Sequence, residues 1–146
     1  MYMLSNSSKY AINAVLYIAV NASENQKIGV KEVADAIQIP SPFLAKLLQT
    51  LAKKNVITST KGPGGGFFLT EENQKLPLME VVEHIDGSEK FSMCVLGLKE
   101  CSEESPCPIH HSVQPFKVSF LHELRHNSIA SFAEKVKKGE TFLFIQ

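Results

Sequence analysis

The stretch Ser41-Pro42-Phe43-Leu44-Ala45-Lys46-Leu47-Leu48-Gln49-Thr50-Leu51-Ala52-Lys53 is followed by Val56-Ile57-Thr58-Ser59-Thr60, then Lys61-Gly62-Pro63-Gly64-Gly65-Gly66, then Phe67-Phe68-Leu69-Thr70. Its reading decides the fold. Leu44, Leu47, Leu48 and Leu51 recur at the i, i+3, i+4, i+7 spacing of one buried helix face, which turns Pro42, Ala45, Lys46, Gln49 and Lys53 outward. Ser41 before Pro42 places an oxygen acceptor at the cap and a proline at the first helical position, where its missing N–H costs nothing. The two β-branched or aromatic runs beyond this helix read as a hairpin. Four glycines and a proline at its tip leave no bulky side chain there, so the backbone and Lys61 can approach a narrow groove.

Upstream, Val30 to Ala36 forms a short helix capped by Gly29, and Gln38-Ile39-Pro40 ends it. Two helices joined by a tight turn, the second with a basic face and followed by a hairpin, make a winged helix-turn-helix. Before them, Tyr10, Ala11, Ala14, Val15, Tyr17, Ile18 and Ala19 predict a largely apolar core or dimer helix ending near Asn21, with Ser7 or Ser8 as its cap. After the hairpin, Pro77 to Asp86 reads as a helix stopped by Gly87. Residues 87–106 offer no regular element. Beyond them, Val113, Phe116, Phe120, Leu121 and Leu124 form an apolar stripe, with Pro115 marking a helix start or a kink, and Ile129, Phe132, Ala133 and Val136 continue in a second helix. Phe116, Phe120 and Leu124 are too apolar for a solvated face and are expected to be buried, in part against a second subunit. The fold class is mainly α with a small β wing. Its expected divisions are a winged helix-turn-helix domain over 1–86, a loop over 87–107 and dimerisation helices over 108–146.

The chain has 146 residues, fifteen Lys+Arg against fifteen Asp+Glu, and 44% hydrophobic residues, which excludes disorder as the main state. Zero net charge hides an uneven distribution. Residues 1–70 hold seven lysines against three acids, a net of +4; residues 71–104 hold three lysines against nine acids, a net of −6. The basic N-terminal part is therefore the one suited to phosphates. Three cysteines are too few for a disulfide scaffold and point to a reducing, cytoplasmic setting. The apolar run Ala14 to Val20 is too short to span a bilayer, and residues 1–9 lack the pattern of a signal peptide, so no membrane role is expected.

Cys94, Cys101, Cys107 and His110 are separated by six, five and two residues. This spacing suits a metal centre: loose loops let thiolates swing onto an ion or cluster, while Cys107 and His110 sit one turn apart at a helix start. Zinc accepts the same four ligands, and a metal-free thiol switch uses the same sulfurs. Glu100, Glu103 and Glu104 read as a solvated acidic rim, and His84, His111, His122 and His126 as surface residues. The glycine run lacks a Gly-Lys-Ser/Thr ending and joins strands, which argues against a nucleotide cradle. A thiol redox enzyme using Cys94 or Cys107 lacks both a Cys-x-x-Cys pair and a strand-helix-strand frame. No enzymatic activity is expected.

In order, Tyr10-Ala11-Ile12, the Ile39 to Leu51 helix, the Lys61-Gly62-Pro63-Gly64-Gly65-Gly66-Phe67 wing, the Leu78 to Gly87 segment and the Cys/Cys/Cys/His loop resemble the Rrf-type family of bacterial winged-helix transcription regulators. The resemblance covers nearly the whole chain. It implies a homodimer held by C-terminal helices and docked on an imperfect palindrome of double-stranded DNA. It also implies an iron-sulfur cluster, 2Fe-2S in preference to 4Fe-4S, held by Cys94, Cys101, Cys107 and His110, through which redox state, nitric oxide or cluster supply is sensed. Ser41, Lys46, Gln49, Thr50 and Lys53 would meet the major groove and its phosphates, with Lys61, Gly62, Gly64, Gly65 and Gly66 tracking the minor groove. The chain departs from the family pattern in its six-residue first cysteine gap, in Lys9 where nitric-oxide sensors carry an acid, in Ala45 where glutamate is common, and in Lys61 where arginine is usual.

Overall fold

The computed structural model describes residues 4–98 and 102–143. The chain runs α1 (Asn6–Asn21), α2 (Val30–Ile37), α3 (Ser41–Lys53), β1 (Thr58–Thr60), β2 (Gly66–Phe68), α4 (Glu71–Lys75), α5 (Met79–Asp86), a 3₁₀ turn over Glu89–Ser92, α6 (His110–His126) and α7 (Ile129–Lys137). This is the mainly helical fold with a two-stranded wing that the sequence predicts. α1 is the spine. Its Ala11, Ala14, Val15 and Ile18 are fully buried, and small alanines at i and i+3 let α5 and α7 approach closely on either side. Ile129 and Ala133 of α7 belong to the same core as Leu44, Leu48 and Leu51 of α3.

The cap of α1 lies earlier than the serine run suggests. Ser5 is the N-cap, not Ser7 or Ser8, and its Oγ accepts from the Ser8 amide at 3.0 Å. Asp86, at the end of α5, decides the choice: the Ser5 amide donates to Asp86 Oδ2 at 3.1 Å and the Ser5 hydroxyl donates to Oδ1. Burial works to raise the Asp86 carboxyl, but the Ser5 hydroxyl and amide and nearby Lys90 outweigh it and hold the group below its ordinary range.

The α2–α3 turn forms where expected. Gln38 takes a left-handed conformation (φ 57°) and the Ile39 amide returns to the Ala34 carbonyl at 3.0 Å. Pro40 is the N-cap of α3 and the Ser41 side chain makes no cap bond, so the expected Ser41 cap is replaced by a proline-led entry with Pro42 in the first turn. Leu44, Leu48 and Leu51 are buried and Leu47 half-buried. The strands are shorter than the apolar runs, pairing antiparallel with Thr58 opposite Phe68 and Thr60 opposite Gly66. Ile28 extends this ladder. Its amide donates to the Phe67 carbonyl at 3.0 Å, and its carbonyl accepts from the Phe67 amide at 2.7 Å.

α4 and the 3₁₀ turn are too short for a periodic signature and are not expected from the sequence. α4 starts at a capping box formed by Thr70 and Asn73. Buried Asn73 is the junction of the winged unit. Its Oδ1 accepts from Thr58 Oγ1 at 2.7 Å and from the Thr70 amide at 3.0 Å, while Nδ2 donates to the Asn55 carbonyl at 2.9 Å. One side chain thereby ties the exit of α3, the first wing strand and the start of α4. Pro115 neither starts nor interrupts α6, which begins at His110 and continues through it.

Asn73→Ala leaves the Thr58 hydroxyl and the Asn55 carbonyl without this partner and is expected to cost on the order of 2 kcal/mol. Thermal unfolding of the variant beside wild type checks this through a lowered Tm; an unchanged Tm removes Asn73 from its role as junction.

Candidate metal centre and nucleic-acid interface

Cys94, Cys107 and His110 line one small cavity with Val95, Val113 and Lys117. Cys94 is carried by the loop after the 3₁₀ turn, Cys107 by the approach to α6, and His110 opens α6 itself, its amide donating to the Cys107 carbonyl at 3.0 Å. Cys94 is buried and Cys107 half-buried. The sequence-predicted ligands on either side of the loop therefore do meet, although they are separated along the chain by residues with no periodic pattern. Cys101, the remaining predicted ligand, lies outside the described residues, as do Lys99 and Glu100.

The electrostatics of the cavity favour anionic sulfur. The Leu96 amide donates to Cys94 and is the main influence lowering that thiol; burial opposes it, and the Leu98 amide, the Cys107 thiol and the charge of Lys117 add to the lowering. His110 is 2% exposed, and its Nε2 lies 3.1 Å from Glu103 Oε1. Glu103 is thus a partner of the candidate ligand, not the purely solvated rim the sequence suggests. The His110 bond is the main cause holding the Glu103 carboxyl below its ordinary range, against a smaller opposing cost of burial. Glu103, His110 and His111 also bring ligand atoms within 4.8 Å of one another, a second and more polar donor set sharing the same histidine.

These residues fit an iron-sulfur group in chemistry. Two thiols and an imidazole converge, amides point at the Cys94 sulfur, and a lysine ammonium lines the same cavity. In the arrangement described the cavity measures only about 10 Å³, room for about one water. A multi-atom cluster needs more room than this.

Sequence reasoning missed Lys117. On the polar periodicity of α6 it passes for a surface lysine, yet it is buried, with Nζ donating to the Met93 carbonyl at 2.9 Å. The remaining histidines have ordinary surroundings. His84 Nε2 lies 3.1 Å from Glu80 Oε2, and His122 stacks on His126 with ring centroids 4.0 Å apart.

On α3, Lys46, Gln49, Thr50 and Lys53 are exposed along one side, and Ser41 is half-buried at its start. Thr50 Oγ1 donates to the Lys46 carbonyl at 3.0 Å, which leaves its oxygen as an acceptor. Lys61, Gly62 and Gly64 are exposed at the wing tip. Gly65 and Gly66 have an intramolecular reason to be glycine. A Cβ on Gly65 would collide with the Thr60 carbonyl oxygen, and one on Gly66, at φ +148°, would lie 2.8 Å from that of Ile28. Both therefore shape the wing whatever else they touch.

The profile of a family described as iron-dependent transcriptional regulators, Rrf2, matches residues 4–135. This chain belongs to the Rrf2 family. It is a transcriptional regulator, not an enzyme, and Rrf2 regulators bind DNA. Among relatives, a candidate HTH-type transcriptional regulator of Aquifex aeolicus is 37% identical over 117 residues, covering 79% of this chain and 80% of its own. The HTH-type transcriptional regulator IscR of Klebsiella pneumoniae is 28% identical over 107 residues, covering 73% of this chain and 64% of its own. The fold is also that of CymR, the global cysteine regulator of B. subtilis, at a TM-score of 0.72 and 16% identity over 92% of this chain and 98% of that one. Among the described residues no helix of this Rrf2 protein is long and apolar enough to cross a membrane.

Because the Gly66 Cβ position meets backbone, Gly66→Ala is expected to lower stability by on the order of 1–3 kcal/mol, whereas Lys61→Ala at the exposed tip should leave it within about 0.5 kcal/mol of wild type. Denaturant titration of the two variants checks the contrast; equal stabilities contradict the close packing of Ile28 on the wing.

Proposed function

We propose that this Rrf2 regulator senses redox state, nitric oxide or cluster supply in the cytoplasm through an iron-sulfur cluster held by Cys94, Cys101, Cys107 and His110, and that the cluster is 2Fe-2S. One observation carries the reading: Cys94, on the loop after the 3₁₀ turn, lines one small cavity with Cys107 and His110 at the start of α6. The iron dependence attached to the family description supports it. When bound, such a cluster supplies an oxidant-labile one-electron centre. Cys94, Cys101 and Cys107 supply thiolates, His110 supplies an imidazole, and the Leu96 and Leu98 amides direct hydrogen bonds at the Cys94 sulfur.

The loop that carries Cys94 also carries Phe91, which is buried against Phe120 of α6 at a ring-centroid distance of 6.5 Å. Any change in the path of the loop is thereby felt by α6 and by α5, on which α6 packs. We assign DNA contact to Ser41, Lys46, Gln49, Thr50 and Lys53 on α3 and to Lys61, Gly62, Gly64, Gly65 and Gly66 in the wing. Phe116 and Val118 on α6 are each 55% exposed, and Phe116 stacks on half-buried Phe120. An apolar surface of this kind supports a homodimer whose two wings read an imperfect palindrome. In this scheme residues 1–86 bind DNA, 87–107 hold the cluster and 108–146 supply the dimer contacts. A second reading, a mononuclear zinc-class ion, draws on the Glu103, His110 and His111 donor set.

Iron and acid-labile sulfide, measured after anaerobic purification, test the assignment. Each of Cys94→Ala, Cys101→Ala and Cys107→Ala should lose both, and His110→Ala should retain a labile cluster. Full iron in Cys101→Ala contradicts the three-cysteine set, and zinc without sulfide in wild type moves the conclusion to the second reading. For the interface, Lys46→Ala and Lys53→Ala should each weaken DNA binding and make the slope of log affinity against log salt shallower, by about one unit for each phosphate no longer neutralised. An unchanged slope in the folded double variant removes this face of α3 from the interface.

A further inference from the structure

The charge pattern of α6 inverts around one turn. Phe116 and Val118 face solvent while Lys117 between them is 5% exposed. Its ammonium donates to one backbone carbonyl, that of Met93, and lines the cavity shared by Cys94, Cys107 and His110. Among the described residues no carboxylate lies within ion-pair distance of it. An ammonium has three donors and a full charge, so one carbonyl leaves it poorly compensated in a site largely removed from water. A buried charge without an opposite partner is among the costlier arrangements a fold can hold. Among the described residues, the acidic groups lining the cavity with it are the thiols of Cys94 and Cys107, with the Glu103 carboxyl on the far side of His110.

We infer that Lys117 is the resident counter-charge of the metal centre, a positioning and tuning residue that selects a net-negative occupant and favours its more negative, reduced state. The inference rests on the cluster reading above. Three thiolates and a neutral imidazole around an oxidised 2Fe-2S core leave one net negative charge, and one-electron reduction makes it two. A fixed cation at the same cavity stabilises the second state more than the first by Coulomb's law, and burial weakens the screening that would otherwise cancel the difference. The Met93 carbonyl holds the ammonium one residue from Cys94, so the same contact positions the first thiol.

The test compares wild type, Lys117→Met and Lys117→Arg, each prepared anaerobically with and without cluster. In Lys117→Met the equilibrium should shift towards the oxidised cluster by on the order of tenfold, a fall in midpoint potential of about 59 mV for a one-electron couple, and iron should be lost faster to a chelator. Lys117→Arg should keep the potential near wild type. Without cluster, Lys117→Met should be at least as stable as wild type, because a buried charge has been replaced by an apolar chain of similar length. A methionine variant that loses stability or fails to fold without cluster, or one whose potential matches wild type, overturns the inference and leaves Lys117 as a structural clamp on the loop. Wild-type protein purified without iron and sulfide overturns the cluster reading instead, and the metal-free stability comparison still decides whether the ammonium costs the empty site.

Discussion

Everything in this molecule is arranged around the burial of α1. A helix with alanine, valine and isoleucine on its inner faces accepts α5 on one side and α7 on another, and it also contacts α2 and α3. The reading helix and the C-terminal helices are therefore parts of one packed body. Close-packed interiors transmit displacement because they have little free volume to absorb it. This gives a physical route between a loop that ends at α6 and a wing that is fixed to α3, with the Ser5–Asp86 pair clamping the start of α1 to the end of α5.

The wing and the cysteine-histidine site are built by opposite means. Asn73 satisfies three groups from three elements, Ile28 adds a third strand segment, and the glycines at 65 and 66 allow backbone to approach backbone. Such a unit is tied from several sides. Among the described residues around the cysteines there are a short 3₁₀ turn, exposed Met93, Leu96 and Leu98, and a buried lysine bonded to the Met93 carbonyl. A segment with few buried apolar contacts is the kind that reorganises on binding a ligand. The proposed scheme sets rigidity in the winged unit against latitude in the loop.

How much of this is legible in the sequence follows from the range of each interaction. The leucine ladder of α3 is readable because its spacing is set within the helix, and the wing because glycine and proline cluster between two β-prone runs. Caps are less readable. Ser5, Ser7 and Ser8 are chemically equivalent candidates, and the choice falls to Asp86, 81 residues away. Of the site, the cysteines and His110 stand out by residue type, since thiols are rare and seldom gather in a polar loop. Glu103 and Lys117 do not, because acids beside cysteines and lysines on helices are ordinary. Their roles arise only when the loop folds over α6, an event with no period to detect. The cavity likewise reflects the path of the loop and not the spacing of its residues.

In the proposed scheme, occupancy of the cysteine-histidine site alters the affinity of the winged domain for DNA. Its most direct measurement is the anaerobic binding of cluster-loaded and metal-stripped protein to the same DNA fragment, one the protein itself selects from genomic DNA, at a single fixed salt concentration. Dissociation constants that differ by on the order of tenfold or more are expected, within the usual range of coupling between two sites. Identical affinities from preparations that differ fully in iron and sulfide would contradict it.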